Sequence, residues 1–276
     1  KRILTFIMAL AVAASMFAAN TKRTVTRVTE SVSLTTAVDY HVTGATPFGT
    51  DGSIDIVHED AVVILDNVRP SVAISTYLKY ITVNGEPAVH DQNARVAIWQ
   101  NGAIIFPHGH TQYNPLTVYS DINYGGESSS NFKPYTVYRS LGAFFNNIRS
   151  IKVKRGYMVT LATNNDGKGY SRVFIAQDED LNVPDLGNNL RGKVGYIRVF
   201  AWKAVAKKGT ANTDVNMLNA TNTYNWGGSD DNNTDFEYVP MHHHEGWTQY
   251  PAIASLKYAT HVLGNNEPDN SGDDKE

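Results

Sequence analysis

Short apolar runs separated by turn residues fill the chain from Thr24 to about Val205. The runs Val25-Thr26-Arg27-Val28, Ala61–Leu65, Arg95–Trp99, Ala103–Phe106, Ser150–Val153 and Tyr157–Leu161 are strand-length and rich in β-branched residues. Thr50-Asp51-Gly52, Val83-Asn84-Gly85-Glu86, Gln100-Asn101-Gly102 and Asn165-Asp166-Gly167 punctuate them. Asn-Gly and Asp-Gly steps favour the positive φ of tight hairpins. This spacing predicts antiparallel sandwiches rather than a parallel sheet. A helix is predicted over Ser71 to Tyr80, opened by Arg69-Pro70-Ser71 and followed by a strand at Ile81-Thr82-Val83.

The pattern changes at both ends. Lys1 and Arg2 precede an almost wholly apolar stretch from Ile3 to Phe17, with Ala18 and Ala19 before polar sequence. A charged start, an apolar run and small residues describe an export signal over 1–19. The run is short of the ~20 residues that span a bilayer. The expected location is therefore secreted, periplasmic or cell-surface, with no membrane attachment after signal cleavage. Ala206–Asn212 reads as a linker into a new module. Beyond it, Thr221–Gly227, Phe236–His242 and Thr260–Leu263 are short apolar strands between polar segments.

Composition sharpens two of these points. The 276 residues include no cysteine, so an exported form must hold its fold by packing alone. The net charge is −3, and removal of Lys1 and Arg2 takes it to −5. Nucleic acid is thereby disfavoured as a partner, since phosphates require a cationic face.

Within the β region, Leu116 to Val199 carries Tyr119, Tyr124 and Gly126 in the order aromatic, four residues, aromatic, one residue, glycine. This resembles the signature of βγ-crystallin-like Greek-key domains, in which two rings pack over a folded hairpin and the glycine takes a conformation closed to side chains. A degenerate second copy runs from Ala162 through Gly167 to Gly169, its aromatics lost. The strands Ile148–Val153 and Gly195–Val199 also suit the resemblance. Some members of that family bind calcium through paired Asn/Asp, two residues and two hydroxyls. Asn146-Asn147-Ile148-Arg149-Ser150-Ile151 matches in part, with Ile151 in place of the last hydroxyl. A missing oxygen ligand favours a polar turn over a calcium site, so no cofactor is expected.

Three motifs in the last part of the chain follow one another in order: Tyr224-Asn225-Trp226-Gly227, Tyr238-Val239-Pro240-Met241, and Leu263-Gly264-Asn265-Asn266-Glu267-Pro268-Asp269. They resemble glycoside hydrolase family 128, (β/α)₈-barrel enzymes acting on β-1,3-glucans. The resemblance implies a retaining glycosidase with Glu267 as general acid/base. It implies that Asn266 holds a sugar hydroxyl, that His242 stands near the sugar, and that Tyr224, Trp226 and Trp247 offer ring faces. A glycosidic oxygen leaves only when protonated, which is why such a site needs a carboxylic acid of raised pKa. His242-His243-His244 is too short of ligands for a metal site. The competing reading of Glu267 is a solvated acidic tail with Asp269, Asp273, Asp274 and Glu276.

The expected organisation is mainly β. It comprises a signal at 1–19, a β-sandwich-like accessory domain at 24–110, a Greek-key domain at 111–205, a linker at 206–212 and the truncated start of a (β/α)₈ barrel at 213–276. A barrel takes ~250 residues and a retaining enzyme needs a second carboxylate, so the 276-residue form is expected to be inactive. The expected partner is a polysaccharide of the β-glucan class. The alternative is a non-catalytic carbohydrate-binding or surface-interaction protein built on the β domains.

Overall fold

The computed structural model describes residues 20–109, 113–203, 209–211, 220–228, 233–243, 256 and 259–264. Nine strands build the first domain: β1 (Thr21–Val25), β2 (Ser31–Leu34), β3 (Val38–Val42), β4 (Ser53–Ile56), β5 (Val62–Leu65), β6 (Ile81–Val83), β7 (Glu86–Pro87), β8 (Ala94–Trp99) and β9 (Gly102–Pro107). They wind as a coil. Strands β1, β3 and β5 stack in parallel in one sheet, with Tyr40 beside Arg23 on one side and Val63 on the other. Strands β2, β4 and β6 stack in parallel in the facing sheet. The hairpin β8–β9 then closes the first sheet antiparallel to β5, and β7 folds back on β6.

The antiparallel sandwich expected for 24–110 is thus corrected. Two sheets do face each other, but the strands that define them run parallel in successive turns of a β-helix. The glycines carry the difference. Gly44 and Gly52 are not hairpin residues with positive φ. A Cβ on either would overlap the backbone oxygen of Thr26 or Val28, in the turn of chain stacked beside it. These turn residues allow close rung-to-rung stacking. Gly85 does behave as the sequence predicts: Asn84 and Gly85 both take positive φ and turn β6 into β7. At the other hairpin the positive φ falls on Gln100, and Gly102 instead lets β9 pass close to the Leu65 carbonyl.

The strand expected over 25–28 ends at Val25, and Val28 pairs across the coil with Phe48. Phe48 stacks on Tyr80 at 5.0 Å, which places the helical winding of 70–80 over this side of the coil. That winding coincides with the helix predicted from Ser71 to Tyr80.

Eight strands build the second domain: β10 (Leu116–Tyr119), β11 (Ser128–Ser129), β12 (Thr136–Tyr138), β13 (Ser150–Val153), β14 (Tyr157–Ala162), β15 (Ser171–Ile175), β16 (Leu181–Val183) and β17 (Tyr196–Ala201). One sheet has the order β11-β10-β13-β16 and the other β12-β17-β14-β15. Each four-strand repeat therefore lends its third strand to the other repeat's sheet. This exchange makes 116–201 a Greek-key domain of the βγ-crystallin-like kind.

The two domains share a core. Val63, Leu65, Val96 and Ile105 face into the β-helix, whereas Val62, Ile64, Trp99, Ile104 and Phe106 face the Greek-key domain. Strands β5, β8 and β9 are buried at every position, and apolar at all but Arg95, because both faces of that sheet are covered. Trp202 stacks near Trp99, with ring centres 6.4 Å apart, and donates its indole N–H to the Ala176 carbonyl at 2.8 Å.

Past Lys203, β18 (Gly209–Ala211), β19 (Asn222–Tyr224) and β20 (Glu237–Tyr238) form a small parallel sheet, extended by a parallel bridge between Met241 and Leu263. Strand β18 lies inside the stretch expected to be linker, so the new module begins at Gly209. Asp235 ties it to the β-helix by accepting the Ser71 N–H at 2.7 Å and the Ser71 hydroxyl at 2.5 Å. Among the described residues this sheet is open and carries no helix, and most of the barrel start expected at 213–276 lies outside the described residues.

Candidate functional site

The first two motifs and Leu263, where the third begins, meet at one edge of the parallel sheet. Strand β19 runs out at Tyr224, β20 at Tyr238, and the third segment at Leu263. Met241 N–H donates to the Gly227 carbonyl at 2.9 Å, His242 N–H to the Leu263 carbonyl at 3.0 Å, and Leu263 N–H to the Pro240 carbonyl at 2.9 Å. Residues that follow parallel neighbouring strands share the carboxyl edge, where parallel sheets place their ligands.

Tyr224 and Trp226 pack edge-to-face at 5.4 Å. Trp226 holds a positive φ of 61° and is half-buried, as is Tyr224. The Asn225 side-chain oxygen accepts the Gly227 N–H at 3.2 Å and the Tyr238 hydroxyl, which joins the first motif to the second. His242 is buried beside Met241. Of the residues expected to act here, Tyr224, Trp226 and His242 are thus brought together, whereas Glu267, Asn266 and Trp247 lie outside the described residues, as does His244.

At the opposite end of β20, Glu237 is buried and accepts the Thr260 hydroxyl and, at 2.8 Å, His261 Nδ1. Burial works to raise this carboxyl. The hydrogen bonds from His261 and Thr260, with the charges of His261 and Lys203, outweigh it and hold the group below the usual range. The same hydrogen bond raises His261. This pair braces the strand ends.

Sequence reasoning attached no chemistry to the first domain, yet the junction of the two domains holds a polar cluster. Asp91 Oδ1 accepts Arg95 Nη1 at 2.6 Å and the Tyr135 hydroxyl at 3.2 Å. His90 Nε2 lies 3.6 Å and His108 Nε2 4.0 Å from the same carboxylate. His108 Nδ1 meets the Tyr157 hydroxyl at 2.9 Å, and the two rings stack. Burial, then the Arg95 charge, lowers both His90 and His108 to about 4, so both imidazoles are neutral at pH 7. Burial above all keeps the Tyr157 phenol protonated far above its ordinary range. The phenol oxygen also takes the Gly109 N–H, so the Gly109 backbone, Tyr157 and His108 form one buried hydrogen-bonded chain. Burial raises and Arg95 lowers Asp91, with a net fall that keeps it ionised. The sequence signal for this cluster was slight: a His-Asp pair with Arg four residues later, at a loop–strand boundary.

In the Greek-key domain the aromatic signature folds as the sequence predicts. Tyr119 and Tyr124 pack edge-to-face at 5.6 Å, with Lys152 Nζ 4.7 Å from the Tyr124 ring centre. Gly126 has φ 72°, and a Cβ there would overlap the Ser120 hydroxyl, which accepts the Glu127 N–H at 2.8 Å. The second copy repeats this device: the Thr163 hydroxyl accepts the Tyr170 N–H at 3.1 Å under Gly169, φ 78°. Tyr196, paired with Ala162 across the sheet, brings its ring under Gly167 and replaces the missing aromatic. Within the partial calcium motif, the buried Ser150 hydroxyl donates to the Asp121 carbonyl at 2.6 Å and accepts the Tyr124 N–H at 3.0 Å. It is engaged in pinning the hairpin.

Among solved structures, the chain is similar to a βγ-crystallin domain from Flavobacterium johnsoniae, with 29% identity over 33% of this chain and 99% of that one, TM-score 0.28. It is also similar to a βγ-crystallin domain from Clostridium beijerinckii, with 26% identity over 32% of this chain and 99% of that one, TM-score 0.28. The N-terminal domain of Protein S gives 26% identity over 32% and 98%, TM-score 0.28. No protein-family model and no curated protein matches the chain.

Proposed function

We propose that residues 20–203 form a non-catalytic accessory unit and that the parallel strands from Gly209 onward belong to a glycoside hydrolase module, in an exported protein directed at a β-glucan-class polysaccharide. The observation that supports this reading is the convergence of Tyr224-Asn225-Trp226, His242 and the strand leading to Glu267 on one carboxyl edge of adjacent parallel strands. Edge aromatics would stack on sugar rings. Glu267, a few residues past Leu263, would protonate the leaving oxygen and then activate the incoming water. The accessory assignment is supported by how the hydroxyls of Ser120, Ser150 and Thr163 are used: each holds a hairpin.

The test is β-1,3-glucan hydrolysis by a form extended at its C-terminus to complete a barrel. Glu267→Gln should lower the rate by about 10²–10⁴-fold, the usual contribution of a general acid. An extended protein that hydrolyses glucan equally well with either residue would overturn the assignment.

A second reading is favoured by the polar junction between the β domains: a carbohydrate-binding or surface-interaction protein without catalysis. It predicts that residues 20–203 alone are retained on insoluble glucan.

A further inference from the structure

We propose that the cleft between the β-helix and the Greek-key domain binds a neutral saccharide of one or two rings. The cleft measures about 350 Å³ and lies where the loop of 89–95 meets the segment 131–135. That volume is at the small end of ligand sites.

The chemistry of its lining selects the ligand class. Phe132 and Tyr135 supply ring surface, and Gln92, Asn114 and Asn131 supply planar amides. Amides and a carboxylate can each hold two neighbouring hydroxyls, while ring faces suit the C–H face of a pyranose. Among the described lining residues the charged side chains are Asp91, already paired with Arg95 at 2.6 Å, and the exposed Lys133, so no matched set of charges awaits an ionic ligand. The Asp91 carboxylate adds an acceptor whose position is fixed by the Tyr135 hydroxyl.

The backbone supplies an independent observation. Asp91 and Tyr135, which join hands across the cleft wall, hold φ of 59° and 55°. A bulky aromatic in the left-handed region is a strained residue, and such strain concentrates at ligand clamps. Here it faces the Tyr135 side chain toward a carboxylate of the other domain. Both domains wall the cleft, which gives their shared core a purpose beyond spacing. The choice of probe rests on the glucan reading above, whereas the site itself rests on the cleft.

The experiment is calorimetric titration of the full chain with laminaritriose and with cellotriose. Asn131 and Gln92 are exposed, so their removal spares the core. Asn131→Ala and Gln92→Ala should each weaken binding by about tenfold, the effect of one lost ligand hydrogen bond, with unchanged melting temperature. Lys168→Ala, at an exposed side chain outside the cleft lining, should leave binding intact. Binding that survives both cleft substitutions and disappears with Trp226→Ala would overturn the cleft while leaving the sheet-edge reading in place. Absence of binding by the unsubstituted chain would also overturn the cleft, and glucan hydrolysis would decide the other reading separately.

Discussion

The Tyr135 hydroxyl donates to Asp91 Oδ1 at 3.2 Å across the domain junction, and both residues hold left-handed backbone. Each lies on a loop of a different domain, so this bond reports directly on how the two are joined. Tyr135→Phe keeps the ring and removes the donor. It should cost about 1 kcal/mol, the net value of one such bond, read as a lower urea midpoint with unchanged slope.

The buried imidazoles make the junction sensitive to acid. His90 and His108 titrate near 4 when folded, against 6.5 for the free side chain. The unfolded chain therefore binds more protons than the folded one between those values. Stability is fully present above about pH 6.5 and falls as pH drops toward 4. Asp91, also lowered, adds to the loss at the acid end. Urea midpoints between pH 7.5 and 4.5 should fall steeply, and His108→Gln should flatten that slope. A midpoint independent of pH over this range would contradict the buried neutral state.

Gly156 and Gly85 separate two reasons for a glycine. Both have positive φ, 95° and 79°. A Cβ on Gly156 would overlap the Phe106 ring in the shared core, whereas around Gly85 there is open space. Gly85→Ala should cost about 1 kcal/mol of backbone strain. Gly156→Ala should cost about 3 kcal/mol or more, since overpacking adds to strain. Thermal unfolding of the two variants side by side distinguishes these costs.

Asp235 reaches Ser71 with both carboxylate oxygens. Ser71→Ala removes one of those bonds and should loosen the module that begins at Gly209 without unfolding the β-helix. Limited proteolysis would show it: cleavage between Lys203 and Asn222 should speed up several-fold, while the fragment 20–203 stays intact.

Three strands of the Greek-key domain, β13, β14 and β17, could be read to within two residues, and its hairpin could be recognised because Tyr119, Tyr124 and Gly126 form a local device. The parallel coil of the first domain could not. Its strands have the lengths and turn residues of a sandwich, and Asp51-Gly52 reads identically whether it turns a hairpin or permits two coils to stack. Parallel pairing joins Val38–Val42 to Val62–Leu65 across a full turn of the coil, a contact with no local signature. The junction cluster was hidden for the same reason: Asp91, His108, Tyr135 and Tyr157 are far apart in the chain, and no spacing links them.

Alternating apolar positions, turn chemistry and the aromatic–glycine signature thus determined a mainly β chain, the position of several of its strands and one of its domains. Sequence order also set the three motifs of the last module in line. Tertiary structure alone decided that the first domain is wound rather than hairpinned, and that β5, β8 and β9 are buried on both faces. It alone placed two strained residues and two neutral histidines around one carboxylate. Local pattern encodes which face of a strand avoids water. Which other chain segment covers that face depends on long-range packing, and there the polar groups of this protein are brought together.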